Sequence, residues 1–183
     1  MSYIFYNEWR RARPIRYYIN RGLGWNIAYN FQLNSGVTSY LAFETQDDRI
    51  HATQRNVQVV GLDNSLIDCE VTTLKNATVD TLGTDITDTS VFNADLNSDN
   101  GINLIMYNET TTISDEGTEA PFSNRIRADR RSEGSEYIAN EYILRENAVR
   151  VLKFENKGDG NVQIYYSSTG YQEIGDETTE WGD

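Results

Sequence analysis

The chain is short of the residues that build cross-linked or metal-held scaffolds. It has one cysteine, Cys69, and one histidine, His51, among 183 residues. A lone thiol closes no intrachain disulfide and supplies no cysteine-rich zinc site. That economy fits synthesis in a reducing compartment. No run approaches the roughly 20 apolar residues of a membrane helix. The N-terminus has no continuous apolar core of a secretory leader, so none is expected. Catalytic signatures are missing too. There is no GxSxG elbow, no P-loop and no dinucleotide fingerprint. His51 sits beside Asp47, Asp48 and Arg49 in a polar stretch without a nucleophile context, so a solvated loop histidine is expected. Carboxylates are too many for any pair to stand out as a glycosidase pair. In "DLNSDNG", residues 95–101, Asp95, Asn97 and Asp99 have calcium-loop spacing. Asn100 stands where that loop needs Gly, and Met106 where it needs Glu, so an Asx-rich turn is expected. The expectation is a protein that is not an enzyme and carries no cofactor or metal.

Positive charge is also scarce, and it is gathered in one place. Lys and Arg number 16 against 28 Asp and Glu, for a net charge of −12. Residues 1–21 hold Arg10, Arg11, Arg13, Arg16 and Arg21 against Glu8, which is 5 − 1 = +4. The other 162 residues therefore carry −12 − 4 = −16. A basic arm on an acidic body fits docking onto an acidic protein surface, such as a neighbouring copy. The acidic body would be repelled by a polyphosphate, so no nucleic-acid partner is expected. Pro14 forbids a regular helix through the arm. Tyr3, Phe5, Tyr6, Trp9, Tyr17 and Tyr18 are more large aromatics than a tail meant for water carries. Residues 1–22 thus read as an extended arm. Its candidate partner-binding residues are Trp9, Arg10, Arg11, Arg13, Arg16, Tyr17, Tyr18 and Arg21.

Beyond residue 22 a period of two takes over. Leu23, Trp25, Ile27, Tyr29, Phe31 and Leu33 alternate with Gly24, Asn26, Ala28, Asn30 and Gln32, which is a half-buried strand. Val37–Thr45 reads as the next strand, residues 46–55 as a polar connection, and Asn56–Val60 with Leu66–Leu74 as a pair around the turn "GLDNS". Ile102–Tyr107, Ala148–Phe154 and the stretch from Val162 add further strands. Residues 135–146 have near-helical apolar spacing and suggest one helix. Residues 173–183 hold five acids and read as a frayed acidic tail. The segment "NATVDTLGTDITD" at 76–88 is echoed at 110–122 as "TTTISDEGTEAPF", sharing T-[VI]-x-x-x-G-T-[DE]. We read the echo as two equivalent long loops of a doubled Greek key. The fold class expected for residues 23–172 is an all-β, jelly-roll-like antiparallel β-sandwich.

The carboxy half carries a resemblance. Glu141, Ile143, Leu144 and Asn147 are followed by Phe154, Asn156, Gly158 and the pair Tyr165-Tyr166. This resembles the closing segment of the jelly-roll head decoration proteins of tailed bacteriophages. The resemblance implies a virion structural protein made in the host cytoplasm. It would be a trimer on the outside of an icosahedral head, with the major capsid protein as partner and shell stabilisation as its role. The arginine-rich stretch 8–21 has no counterpart in that group. A tail or connector component, or a carbohydrate-binding β-sandwich with Tyr165, Tyr166 and Tyr171 as its aromatics, are the alternatives.

Overall fold

The alternation in residues 23–33 produces the first strand, β1 (Gly24–Leu33). Trp25, Ile27, Phe31 and Leu33 are buried, while Asn26, Ala28, Asn30 and Gln32 face water. The same logic forms β2 (Thr38–Thr45), β4 (Ile67–Lys75), β13 (Val149–Asn156) and β14 (Val162–Glu173). The computed structural model describes residues 18–62, 66–95, 98–119, 124–128, 133–138 and 142–173. The remaining elements are β3 (Arg49–Gly61), β5 (Thr78–Thr81), α1 (Thr87–Ser90), β6 (Val91–Asn93), β7 (Leu104–Tyr107), β8 (Thr112–Asp115), β9 (Thr118–Glu119), β10 (Asn124–Ala128), β11 (Glu133–Ile138) and β12 (Tyr142–Leu144).

Two six-stranded sheets result. One has the order β11-β3-β14-β1-β6, with β12 also on β3; the other is β10-β4-β13-β2-β7, with β9 on β4. Every pairing within the two sheets is antiparallel. From β1 to β4 the chain changes sheet at every step. After the β5–β9 excursion it re-enters the second sheet, beside β4, as β10, then crosses to the first sheet for β11 and β12, to the second for β13 and back to the first for β14. That path is the double Greek key of a jelly roll. Between the sheets, Phe154 meets Phe31 edge-on at 5.3 Å and Tyr166 edge-on at 6.4 Å. Leu41, Ile50, Val57, Val59, Ile67 and Met106 pack in the same cluster.

The segment between β4 and β10 forms a long excursion around the β1–β2 margin. Its β6 lengthens the first sheet beyond β1, and its β7 lengthens the second beyond β2. Both strands cover edges that would otherwise present unpaired backbone. The echo finds its meaning here, and it differs from the expectation of two equivalent loops. The two copies lie in one excursion and pair with each other. β5 runs antiparallel to β8, with Val79 opposite Ile113. Two strands that pair across a ribbon and bury one shared face need the same alternation. Val79 and Ile113 pack with Leu82 and Ala77 on Ala42, Leu74 and Val151 of the second sheet, a small second core outside the sandwich. Gly117 holds φ +63, and a Cβ there would stand 2.3 Å from the Lys75 carbonyl oxygen.

Two further expectations are corrected. Residues 49–55 are not a polar connection; they are the first half of β3. A bulge hides the period: pairing with β14 shifts register between Thr169 and Gly170, so inward positions change from Ile50 and Ala52 to Arg55, Val57 and Val59. No helix forms at 135–146 among the described residues. Glu133–Ile138 pairs with Arg55–Val60, and Tyr142–Leu144 with Ile50–Ala52. Pairing along the free margin of β3 outweighs a weak local helical spacing.

The outer faces of the sheets differ in chemistry. On the second, Glu44, Glu70, Lys153 and Glu155 lie among Tyr40 and Tyr107. On the first, β1 presents Asn26, Ala28, Asn30 and Gln32; β14 presents Gln163, Tyr165, Ser167 and Thr169; β3 presents Gln54, Asn56, Gln58 and Val60. None of these twelve is charged.

Candidate partner-binding site: the root of the arm

The arm meets the body at a short helical turn, 18–20. Leu23 and Arg21 donate their backbone N–H groups to the Tyr18 carbonyl at 2.8 and 3.2 Å. Gly22, at φ +68, then turns the chain into β1. The Tyr18 ring lies flat on Tyr171, with centroids 4.4 Å apart and planes 6° apart. Tyr171 in turn stacks on His51 at 4.4 Å and 12°. His51 Nε2 is 3.0 Å from Glu173 Oε2. Three rings from the arm, the last strand and β3 therefore form one column on the end of the first sheet. His51 is 8% exposed, so it is a packed strand residue and not the solvated loop histidine expected from its polar neighbours.

The excursion holds the root from the other side. Asn100 donates its Nδ2 to the Arg21 carbonyl at 2.8 Å, and Asn93 donates its own to the Gly22 carbonyl at 2.7 Å. Ala94 donates its N–H to the Gly24 carbonyl at 2.8 Å. The segment "DLNSDNG" thus serves as a polar bracket for the arm: Ser98 and Asn100 stand against Gly22. Among the described residues no group of three or more His, Cys, Asp or Glu is placed to hold a metal ion. Nor is any helix among them long and apolar enough to cross a membrane.

Of the candidate arm residues, Tyr18 and Arg21 are at this root; Tyr18 is half-buried in the stack and Arg21 is exposed. Trp9, Arg10, Arg11, Arg13, Arg16 and Tyr17 lie outside the described residues. The stack is not legible in the sequence, because Tyr18, His51 and Tyr171 are far apart along the chain and His51 stands among polar neighbours. The only local hint is Tyr18 at the end of an aromatic-rich run.

The charge of the excursion is one-sided. From Asn76 to Glu119 the chain carries Asp80, Asp85, Asp88, Asp95, Asp99, Glu109, Asp115, Glu116 and Glu119 and no Lys or Arg, a net of −9. Tyrosine hydroxyls tie three carboxylate contacts between excursion and sandwich. Tyr29 donates to Glu109, Tyr40 to Glu116 at 3.0 Å, and Tyr107 to Glu44 at 2.7 Å. Burial, helped by the neighbouring carboxylate, pushes the Tyr40 and Tyr107 hydroxyls up to about 12, and Tyr29 upward as well. Lys153 Nζ lies 2.7 Å from Glu116 and, with the Tyr40 bond, holds that carboxyl below its ordinary value. Cys69 is buried, and loss of hydration pushes its thiol up to about 12, which makes it a poor nucleophile.

At the far end of the sandwich three turns lock together. Ser35 donates its N–H to Asn161 Oδ1 at 3.1 Å, and Leu66 donates its own to Asp159 Oδ1 at 2.8 Å. Buried Asn156 donates to the Leu33 and Gly160 carbonyls and accepts from the Gly158 N–H. A Cβ on Gly158 would stand 2.3 Å from the Leu66 carbonyl oxygen. "NKGDGN" is therefore a packed knot, with Val37, Leu62 and Leu66 exposed around it. Inside the sandwich, a cleft of about 70 Å³ is lined by Trp25, Phe43, Arg55, Leu144, Arg150 and Tyr166 among others. Arg55 Nη1 donates across it to Thr73 Oγ1 at 2.9 Å.

No family model and no curated protein matches this chain. Among solved structures, a chain of the infectious bursal disease virus Gt strain is similar at 14% identity and a TM-score of 0.20. The match covers 87% of this chain and 43% of that one. A chain of the T13 viral particle of the same virus is similar at 13% identity and a TM-score of 0.19, over 81% of this chain and 39% of that one. The present chain thus spans less than half the length of either neighbour. Likenesses this distant carry no weight for fold or function.

Proposed function

We propose that this protein is a structural component of a virus particle: a decoration or minor head protein that binds an assembled phage head and stabilises it. The observation that carries the reading is the rooted arm. A basic, aromatic segment leaves a jelly-roll body at a joint held by a three-ring column and by Asn93 and Asn100. A segment anchored so firmly at one end transmits whatever holds its other end to the whole body. Binding only the assembled lattice shifts the equilibrium toward the lattice by mass action. The major capsid protein is the proposed partner, and a trimer the proposed oligomer. Both rest on the resemblance of residues 141–166 to head decoration proteins.

The test uses purified heads and the full chain beside a chain lacking residues 1–17. The expected result is co-sedimentation of the full chain with heads, lost in the shortened chain while its circular dichroism stays that of a β protein. Equal head binding by both chains would remove the arm from the docking role. Failure of the full chain to bind heads would remove the decoration reading. Copy number separates it from a connector or tail ring: a symmetric ring holds roughly a dozen copies or fewer, a decorated lattice far more.

A further inference from the structure

The structure assigns a second binding surface to this chain: the outer face of the first sheet is a site for a neutral polysaccharide. This does not rest on the head-binding reading, and it uses none of the arm.

The face is set apart first by what it lacks. The molecule carries −12 overall, yet those twelve positions of β1, β14 and β3 hold no charge; the charges those strands do put on this side, Arg49 and Glu173, lie together at its end beside the ring column. Of these twelve positions, seven are Asn or Gln and three are hydroxyl residues. A solvated sheet face that only needs to stay soluble takes Lys, Glu and Arg, as the outer face of the second sheet does with Lys153 and Glu155. Charged ligands find no counter-charge here. Amides differ from carboxylates and ammonium groups in offering donors and acceptors together. That suits a ligand whose every hydroxyl is also both.

The register supplies the second half. Tyr165 lies in a cross-strand row between Asn30 on β1 and Gln58 on β3. It is 46% exposed, whereas Tyr166, one residue on, is buried. Phe92 on β6 is 45% exposed and stands opposite Asn26, continuing the neighbouring end of the same face. An aromatic face flanked by amides is the pairing that takes the apolar side of a sugar ring while its hydroxyls bond at the rim. Gln163 Nε2 already donates to Asn30 Oδ1 at 3.1 Å, which fixes that amide beside the Tyr165 ring. The twelve positions run about 20 Å along the strands and about 10 Å across them, by ordinary strand geometry. That is an elongated track suited to several linked rings. Its far margin is set by the edge strand, where Glu133 pairs with Val60.

The test is electrophoresis of the full chain through native gels containing dextran, mannan or galactan, beside a gel containing anionic alginate. Retardation by at least one of the three neutral polymers is expected, with none by alginate. Tyr165→Ala should weaken the retarding interaction about tenfold, the loss of one stacked aromatic contact. Asn30→Asp, which adds charge without changing size, should weaken it too. Both side chains are outward, so the thermal midpoint of each variant should stay near that of the parent. Three results would overturn the site: no retardation by any neutral polymer; retardation that survives both substitutions; or an oligomer in analytical ultracentrifugation that Tyr165→Ala dissociates, because a second copy would then occupy the face.

Discussion

Tyr40 and Tyr107 show how single hydroxyls set where the excursion stays down. Each donates to a carboxylate across the boundary, and each has its ionisation pushed up from 10.0 to about 12. A raised value means the protonated form is favoured by folding. Their contribution is therefore complete below pH 10 and is lost as pH rises through about 12. Glu116 has the opposite sign: its value is lowered, first by Lys153, so its contribution is present above pH 4.5 and is lost on acidification below that. The excursion should stay docked across the interval between. The expected outcome is a phenolate absorbance titration in which Tyr40→Phe and Tyr107→Phe each remove one late-titrating group. A parent protein whose tyrosines all titrated together near 10 would contradict these contacts. Asn156 acts differently at the same scale. It satisfies two carbonyls and one N–H in a buried turn, so its importance lies in what would be orphaned without it.

The elements are legible where one face is wet and the other dry. β1, β13 and β14 alternate cleanly; the expected bounds of β1 and β13 differ from those observed by a residue or two, and β14 starts at Val162 as expected. β3 is half-hidden, because the bulge beside Gly170 moves its inward positions by one and turns Arg55 inward, while the ring stack covers His51, all in a stretch that reads as polar. β11 and β12 read locally as helix, because their pairing partner β3 lies far back in the chain, with Glu133 opposite Val60 and Leu144 opposite Ile50. The echo at 76–88 and 110–122 is visible in the sequence, but its geometry depends on which strands meet. It marks a ribbon, and the ribbon makes a prediction. Val79→Asp places a carboxylate against Ala42, Leu74 and Val151, opposite Ile113. The small outer core should open while the sandwich holds. Limited proteolysis should cut within residues 76–119 far faster than in the parent, with the thermal midpoint of the body moved only slightly. A fall of the whole unfolding transition instead would mean the excursion and the sandwich fold as one unit.

Across the whole molecule, charge and shape divide the labour. The arm carries +4, the excursion −9 over residues 76–119, and the twelve amide-rich positions on the outer face of the first sheet nothing. The arm's composition is readable directly, whereas its root and the uncharged face require register, since their residues come from strands at opposite ends of the chain. On the proposed head-binding role, the arm would bring two kinds of contact to a partner, and they would respond differently to salt. Exposed ion pairs are screened over about 10 Å at an ionic strength of 0.1 M and over about 3 Å at 1 M. Burial of aromatic surface is not screened. If Arg10, Arg11, Arg13 and Arg16 hold an acidic partner surface, head retention should fall steadily as salt rises. Replacing Arg10, Arg11 and Arg13 by Gln should weaken retention at low salt and flatten that dependence. Trp9→Ala should lower retention at every salt concentration and leave the slope unchanged, since Trp9 supplies area and no charge. Retention indifferent to salt in the parent would assign the arm's hold to its aromatics and leave the arginines without a part in it.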